Sequence, residues 1–510
     1  MAEWIESLGR PEDHSEMLAF HWRSALDLAR ASGQDDTELV DRARLALRDA
    51  GDRAFGLNNY PASASLYEDA LGLWPHDEQR PDLLFRHARA LHYAYDEDRR
   101  EQALEAARDA LIAAGDTALA AEAQVFLSYV AWDRGQGEVV RERLRQAEEL
   151  VGDSESVAAA RVLAASSRMR GIAGEHEEGL RLGERALALT ERLGLDELHA
   201  HALTTVGMAK NGSEEGAGIE DMERGLALAL EIDSPVAAST LNNLAVQSVI
   251  AGDLPRAEEL YVEGTRVAER LGDRSSMRFI GANRIFIDWA RGRWDAAAEA
   301  AGAFIDECET GSPHTLEHLM HTLRAQLRRA RGDTAGAFAD HERALALAKE
   351  RGEAVQVTGA QSIYAAALAD EGRGSEAMAM AGDVIATTRA QGVHGFVVSL
   401  TLHARQLGIQ DDLRAAIEHA PGQAARWRRA ALAVLDGDFP GAADVLVEMD
   451  FRSLEAYTRF QGGMHLLEQG RRDEVEREVR KALAFYRPRE AAAFVRRAEA
   501  LLARAQRESA

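Results

Sequence analysis

The stretch LNNLAVQSVIAGDLPRAEELYVEGTRVAERLGD, residues 241–273, decides the fold. Its apolar residues recur at helical spacing in two runs, which predicts helices over Leu241–Ala251 and Leu254–Leu271 with a break at Gly252-Asp253. Ala245 and Ala257 fall where the two helices come closest. Small side chains there let the backbones approach, and the larger Leu241, Leu244, Leu260 and Tyr261 fill the seam. A helical hairpin of this size cannot bury its apolar face alone, so it requires stacked neighbours of the same kind.

The chain supplies them. Marking the residue between the two helices of each hairpin gives Asn58, Gly135, Gly174, Gly252, Gly292, Gly332, Gly372, Gly437 and Gly470. From Gly252 to Gly372 the spacing is 40 residues three times over, and Gly135 to Gly174 is 39. Glu197–Ile232 is a further unit with the longer turn Asn211–Gly216. Alanine pairs keep the phase at Ala325/Ala337, Ala365/Ala377 and Ala430/Ala442. Pro61, Pro255 and Pro440 sit in the first turn of a second helix, where a missing N–H costs nothing. Asp253, Asp333 and Asp438 stand where a carboxylate caps a helix, and Gly194, Gly272 and Gly352 where a helix stops.

Composition agrees. Prolines number 10 and aromatics are 6% in 510 residues, which suits helices nearly everywhere. A net charge of −25 argues against nucleic acid or an anionic membrane as partner of the whole surface. The arginines of the last helix, among them Arg489, Arg496 and Arg497, read as a solvated face. A single cysteine, Cys308, leaves no intrachain disulfide and fits a reducing compartment. The N-terminus lacks a basic region and an apolar run, and no stretch is long enough to span a membrane. The expected location is the cytoplasm.

The expected organisation is a helical segment over 1–36, with Trp4, Ile5 and Leu8 before a break at Gly9–Pro11, then repeats over 37–390. Residues 391–422 form a degenerate unit and candidate hinge, followed by repeats and a terminal helix over 423–510. Residues 77–98 read as a charged linker on either side of one helix, with Asp96–Arg100 at its end.

The alanine phase, with Ala70-Leu71, Ala186-Leu187, Ala344-Leu345 and Ala482-Leu483 late in second helices, resembles the tetratricopeptide family. That resemblance implies an all-α, right-handed superhelical solenoid of about a dozen hairpins. A second resemblance is carried by EWIESLGRPEDHSEMLAFHW (3–22), RDAGDRAFGLNNYPASASLYEDALGLWP (48–75), RPDLLFRHARALH (80–92), AWDRGQ (131–136), RALALTERLGLDELHAHALTTVG (185–207) and LNNLA (241–245). These segments are similar to the C-terminal repeat region of actinobacterial class III cyclase–ATPase fusions and related signal-transduction ATPases. The chain has no G-x-x-x-x-G-K-[ST], and Met1 falls at about the junction where the ATPase module would end. The resemblance therefore implies the regulatory, protein-binding part without cyclase or ATPase residues. It implies a protein or peptide partner, including a separately encoded ATPase, cyclase or transcription regulator, and no cofactor.

The sharpest motif with chemistry is His314-Thr-Leu-Glu317-His318, an H-x-x-E-H pattern with His321 one turn on and Cys308 upstream. A zinc-dependent hydrolase is the reading it offers. Against it, the segment opens the first helix of an in-phase repeat, so packing histidines are expected and the chain reads as non-enzymatic. Binding is the better question. In stacked hairpins the first helices line a concave groove. Transferring the family's groove positions by phase gives Tyr129, Trp132, Arg168, Thr205, Met208, Asn242, Asn243 and Val246, then Asn283, Phe286, Trp289, Gln326 and Arg329. An asparagine at 243 or 283 either hydrogen-bonds a ligand backbone or joins two helices. Trp132, Trp289 and Trp294 read first as packing between repeats.

Overall fold

Each hairpin turns on a residue held in the left-handed region. Gly252 has φ 74° between helices Val236–Ile250 and Leu254–Leu271, and the other marker glycines are likewise positive. Asn58 fills the same role with φ 58°, which its short polar side chain tolerates. The caps fall as the sequence places them: Asp253 accepts from Arg256 N at 3.1 Å, Asp333 from Gly336 N and Asp438 from Gly441 N, both at 2.9 Å. Ala245 and Ala257 are fully buried, as are the corresponding Ala325/Ala337, Ala365/Ala377 and Ala430/Ala442.

The computed structural model describes residues 1–7, 14–75, 79–214, 216–393, 395–421 and 424–507. Leu8 and the break at Gly9–Pro11 lie outside the described residues. Within them are 28 α-helices, packed in consecutive pairs with no strand. The fold is an all-α solenoid of helical hairpins. Among the described residues no helix is long and apolar enough to cross a membrane.

Two regions depart from expectation. Residues 79–114 form a regular hairpin, helices Arg80–Tyr93 and Arg100–Ala114, turning on Tyr95 with φ 56°. Asp96–Arg100 is thus no linker. Arg100 is fully buried and bridges Glu97 at 2.8 Å and Asp133 at 2.9 Å. The terminal helix Ala492–Arg507 does leave Arg496, Arg504 and Arg507 exposed as a solvated face, but two of the arginines at this end are tied into the array. Its Arg497 donates to both oxygens of Asp370, at 2.9 and 2.8 Å, and Arg489 just before it donates to Gly292 O at 2.7 Å.

Such long-range contacts show how the array closes. Hairpin turns from one pass of the superhelix seat against hairpins from the next. Arg426 donates to Gly252 O at 2.8 Å across 174 residues, and the Trp294 indole N–H donates to Ser453 Oγ at 2.8 Å across 159. Gln391 lies over Gly174, and Arg351 presses on Gly135 and Gly137. From Ala200 to Ala505 the buried apolar side chains form one continuous core, whereas the N-terminal hairpins hold smaller local clusters. Residues 391–422 contribute three short helices, Val397–Thr401, Ala404–Leu407 and Gln410–His419, to that core.

Candidate ligand-binding chamber

Because later hairpins pack back onto earlier ones, the concave face of the first helices becomes a partly covered chamber. Two adjoining cavities, about 470 and 440 Å³, occupy it. Each is of the size that takes a small organic ligand or a short peptide segment. Arg168, Met208, Phe286 and Phe396 line both and stand where the two meet.

Of the positions transferred by phase, Tyr129, Trp132, Asn242, Asn243, Val246 and Asn283 line the first cavity, and Thr205, Val246 and Trp289 the second. Gln326 and Arg329 line neither. The C-terminal hairpins fill the groove at that level. Arg329 is buried, ion-paired to Asp370 at 3.1 Å and stacked over Tyr457 and Phe494. On the same helix, Leu319 and Thr322 take the lining role instead. The sequence reading also misses Gln356, Phe396 and Trp427, which reach the chamber from the next pass of the superhelix. The break in phase at 391–422 is the one sequence signal near Phe396.

The asparagines divide between their two readings. Asn283 Nδ2 donates to Asn242 Oδ1 at 3.0 Å, so this pair joins neighbouring helices. Asn243 is half-buried in the chamber wall and makes no side-chain hydrogen bond among the described residues. Trp294 is a packing residue, while Trp289 is buried and lines the second cavity.

Charge in the chamber is uneven. Arg161 is paired with Glu122 at 2.8 Å, and Asp133 with Arg100 at 2.9 Å. Burial pushes Asp133 up to about 6 despite that arginine. Burial, with help from Arg168 and Arg161, depresses His201 to about 3, so it is neutral at physiological pH. Across the chamber, burial lifts Glu353 to about 7, against the pull of Arg351 and a hydrogen bond from Gln356. Between its ordinary 4.5 and about 7 the folded chain therefore holds a proton the unfolded chain has released. Stability contributed by that proton is present below pH 4.5 and lost as pH rises toward 7. The Glu353→Gln variant is expected to show a flatter denaturation midpoint across pH 5 to 8 than the parent chain. A parallel pair of profiles would contradict the assignment.

The histidines of the H-x-x-E-H motif each have a different protein neighbour. His314 Nδ1 accepts from Leu316 N at 3.1 Å and its ring packs edge-on against Phe279 and Phe304. His318 Nε2 donates to Gln356 Oε1 at 2.7 Å, and its Nδ1 accepts from Arg351. His321 bonds Asp340 at 2.7 Å, a carboxylate also held by Arg324 and Arg328. Burial and Arg351 depress His318 to about 3; burial opposes, but hydrogen bonds to Asp340 and Glu317 raise His321. Among the described residues no group of three His, Cys, Asp or Glu side chains is placed to hold a metal ion.

No protein-family model matches this chain, and no curated protein matches it. Solved structures that resemble it include the Rap protein complexed with competence and sporulation factor, at 12% identity and TM-score 0.48, over 73% of this chain and 99% of that one. Another is a signal transduction ATPase with numerous domains (STAND) carrying a tetratricopeptide repeat sensor, from Pyrococcus horikoshii. It matches at 13% identity and TM-score 0.36, over 67% of this chain and 53% of that one. Yeast Tom70 matches at 14% identity and TM-score 0.32, over 92% and 97%. The likeness extends no further than the fold: an all-α array of helical hairpins.

Proposed function

We propose that this chain is a non-catalytic sensor that captures a short extended peptide inside its superhelix. The output we assign is regulation of a signalling ATPase, cyclase or transcription regulator in the bacterial cytoplasm. The observation that carries the reading is the partly open chamber on the concave face. Apolar and aromatic walls surround a few polar side chains, with Asn243 offering an unused amide donor and acceptor. An extended peptide presents backbone N–H and C=O groups at regular intervals, which a side-chain amide satisfies in pairs. Cavities of about 470 and 440 Å³ suit a short segment better than a long partner helix. Closure around the ligand would tie passes of the superhelix together, and the short helices of 391–422, with Phe396 on the chamber wall, are the segment we assign as hinge.

The test uses a pooled library of hexapeptides. The parent chain is expected to gain thermal stability with the pool, and the Asn243→Ala variant to bind it up to about tenfold more weakly, the worth of one or two hydrogen bonds. Absence of any stabilisation or retention of the pool would overturn the reading.

A further inference from the structure

We propose that a further cavity, on the outer side of the seam between two passes of the superhelix, binds a small uncharged molecule that carries a hydrogen-bond acceptor. The cavity measures about 240 Å³, and its assignment stands apart from the peptide reading of the chamber. It lies between helix Gly137–Val151, the end of helix Val157–Ile172 and the turn 351–353 of the next pass. Trp132, Ile172 and Glu353 line both this cavity and the first cavity of the chamber, so these three side chains stand in a shared wall. The volume falls below the roughly 300–1,000 Å³ of sites that take drug-sized ligands, so the occupant is a compact molecule rather than a peptide.

The walls are apolar: Val140 and Leu144 are buried, and Met169 and Ile172 are half-buried beside them. The cations around the cavity are already committed. Arg141 pairs with Glu138 at 2.5 Å, Arg145 with Glu142 at 2.7 Å and Arg170 with Glu175 at 2.7 Å. The Arg351 guanidinium donates to His314 O at 2.8 Å and to His318. An anion would therefore enter an apolar space with no free cation to receive it, which is costly. A cation fares no better. Glu175 is taken by Arg170, Glu148 accepts from Ser166 at 2.6 Å, and Glu353 lies in the field of Arg351 and accepts from Gln356. One polar group is left over: the Trp132 indole N–H is buried with no acceptor among the described residues. An indole N–H only donates, so the ligand atom that satisfies it is an acceptor such as a carbonyl oxygen.

Four probes of similar size test this on the full chain by ligand-observed NMR titration: acetophenone, cumene, benzoate and benzylammonium. Acetophenone is uncharged and carries a carbonyl, cumene has no acceptor, and the other two are ions. Acetophenone is expected to bind at least about tenfold more tightly than either ion, because an unpaired charge pays for its desolvation. Trp132→Phe is expected to weaken acetophenone by about 3- to 10-fold, the worth of one hydrogen bond, and to leave cumene unchanged. Met169 lines the outer cavity alone, so Met169→Trp is expected to fill it and abolish binding; Met208→Trp, on the chamber wall, is expected to preserve it. No binding of acetophenone overturns the site. Equal binding of either ion overturns the uncharged assignment, and an equal effect of Trp132→Phe on acetophenone and cumene overturns the acceptor assignment. Binding lost in Met208→Trp and kept in Met169→Trp places the molecule in the chamber and overturns the site as well. If a tryptophan variant fails to fold, nuclear Overhauser contacts in the parent chain decide: contacts from acetophenone to the Met169 methyl support the site, and contacts to the Met208 methyl overturn it.

Discussion

Replacing Asp370 by alanine is expected to release the C-terminal hairpins, at a cost of about 3–5 kcal/mol. Asp370 ends helix Ala354–Asp370, and its side chain is 2% exposed. Its Oδ1 accepts from Gln461 at 3.0 Å and Arg497 at 2.8 Å; its Oδ2 accepts from Arg329 at 3.1 Å, Tyr457 at 2.9 Å and Arg497 at 2.9 Å. One carboxylate thus ties four side chains from three helices. Burial alone would raise its pKa, but Arg497, Arg329 and His403 hold it far below the usual carboxylate range. Without it, Arg329 remains buried as an uncompensated charge, which is costlier than the loss of the pair itself. Hydrogen exchange of helix Ala492–Arg507 should accelerate by about 10²- to 10³-fold in Asp370→Ala at pH 7. Because the folded pKa is depressed, this stabilisation is present above the unfolded carboxylate value and is lost only as pH falls below about 4. Unchanged exchange in the variant would show that apolar packing, not the ion cluster, holds the end of the array.

Gly137→Ala is expected to open the seam beside the chamber. Gly137 begins helix Gly137–Val151, and a Cβ there would lie 2.2 Å from the backbone oxygen of Arg351, the last residue of helix Thr334–Arg351. A backbone atom at the end of a packed helix cannot rotate aside. The neighbouring guanidinium of Arg351 is buried and fixed by His314 O at 2.8 Å, so the two passes of the superhelix must separate. Overpacking of this kind costs about 1–3 kcal/mol. The scattering radius should grow, and peptide retention should fall together with it, because Glu353 and Gln356 on the chamber wall lie directly after Arg351. A variant with unchanged scattering and unchanged retention would show that the seam has no part in enclosing the ligand.

How far the structure is legible in the sequence depends on the range of the interaction. Hairpins rest on local chemistry: Gly252 at the turn, Asp253 as cap, Ala245 facing Ala257. Each of these signals recurs with the period, and the all-α solenoid follows from them. Tyr95 escapes a search for glycines because a tyrosine rarely adopts φ 56°, so the hairpin it turns reads as a linker. The candidate site is legible where one pass of the superhelix builds it, from Tyr129 to Trp289. It fails at Gln326 and Arg329, where Arg497 arrives from 127 residues beyond Asp370 and Tyr457 from 87. It also misses Phe396 and Trp427 on the far wall. A phase carried along the repeats describes an open groove, and nothing in a period of 40 residues states how tightly the array winds.

The chamber as a peptide site is tested most directly by hydrogen exchange of the full chain with and without the pooled hexapeptides. Protection confined to helices Val157–Ile172, Val236–Ile250 and Arg274–Ala290, the first helices that carry Arg168, Asn243 and Phe286, is the predicted result. Retention of peptide with protection only on the outer second helices, such as Leu254–Leu271, would contradict it.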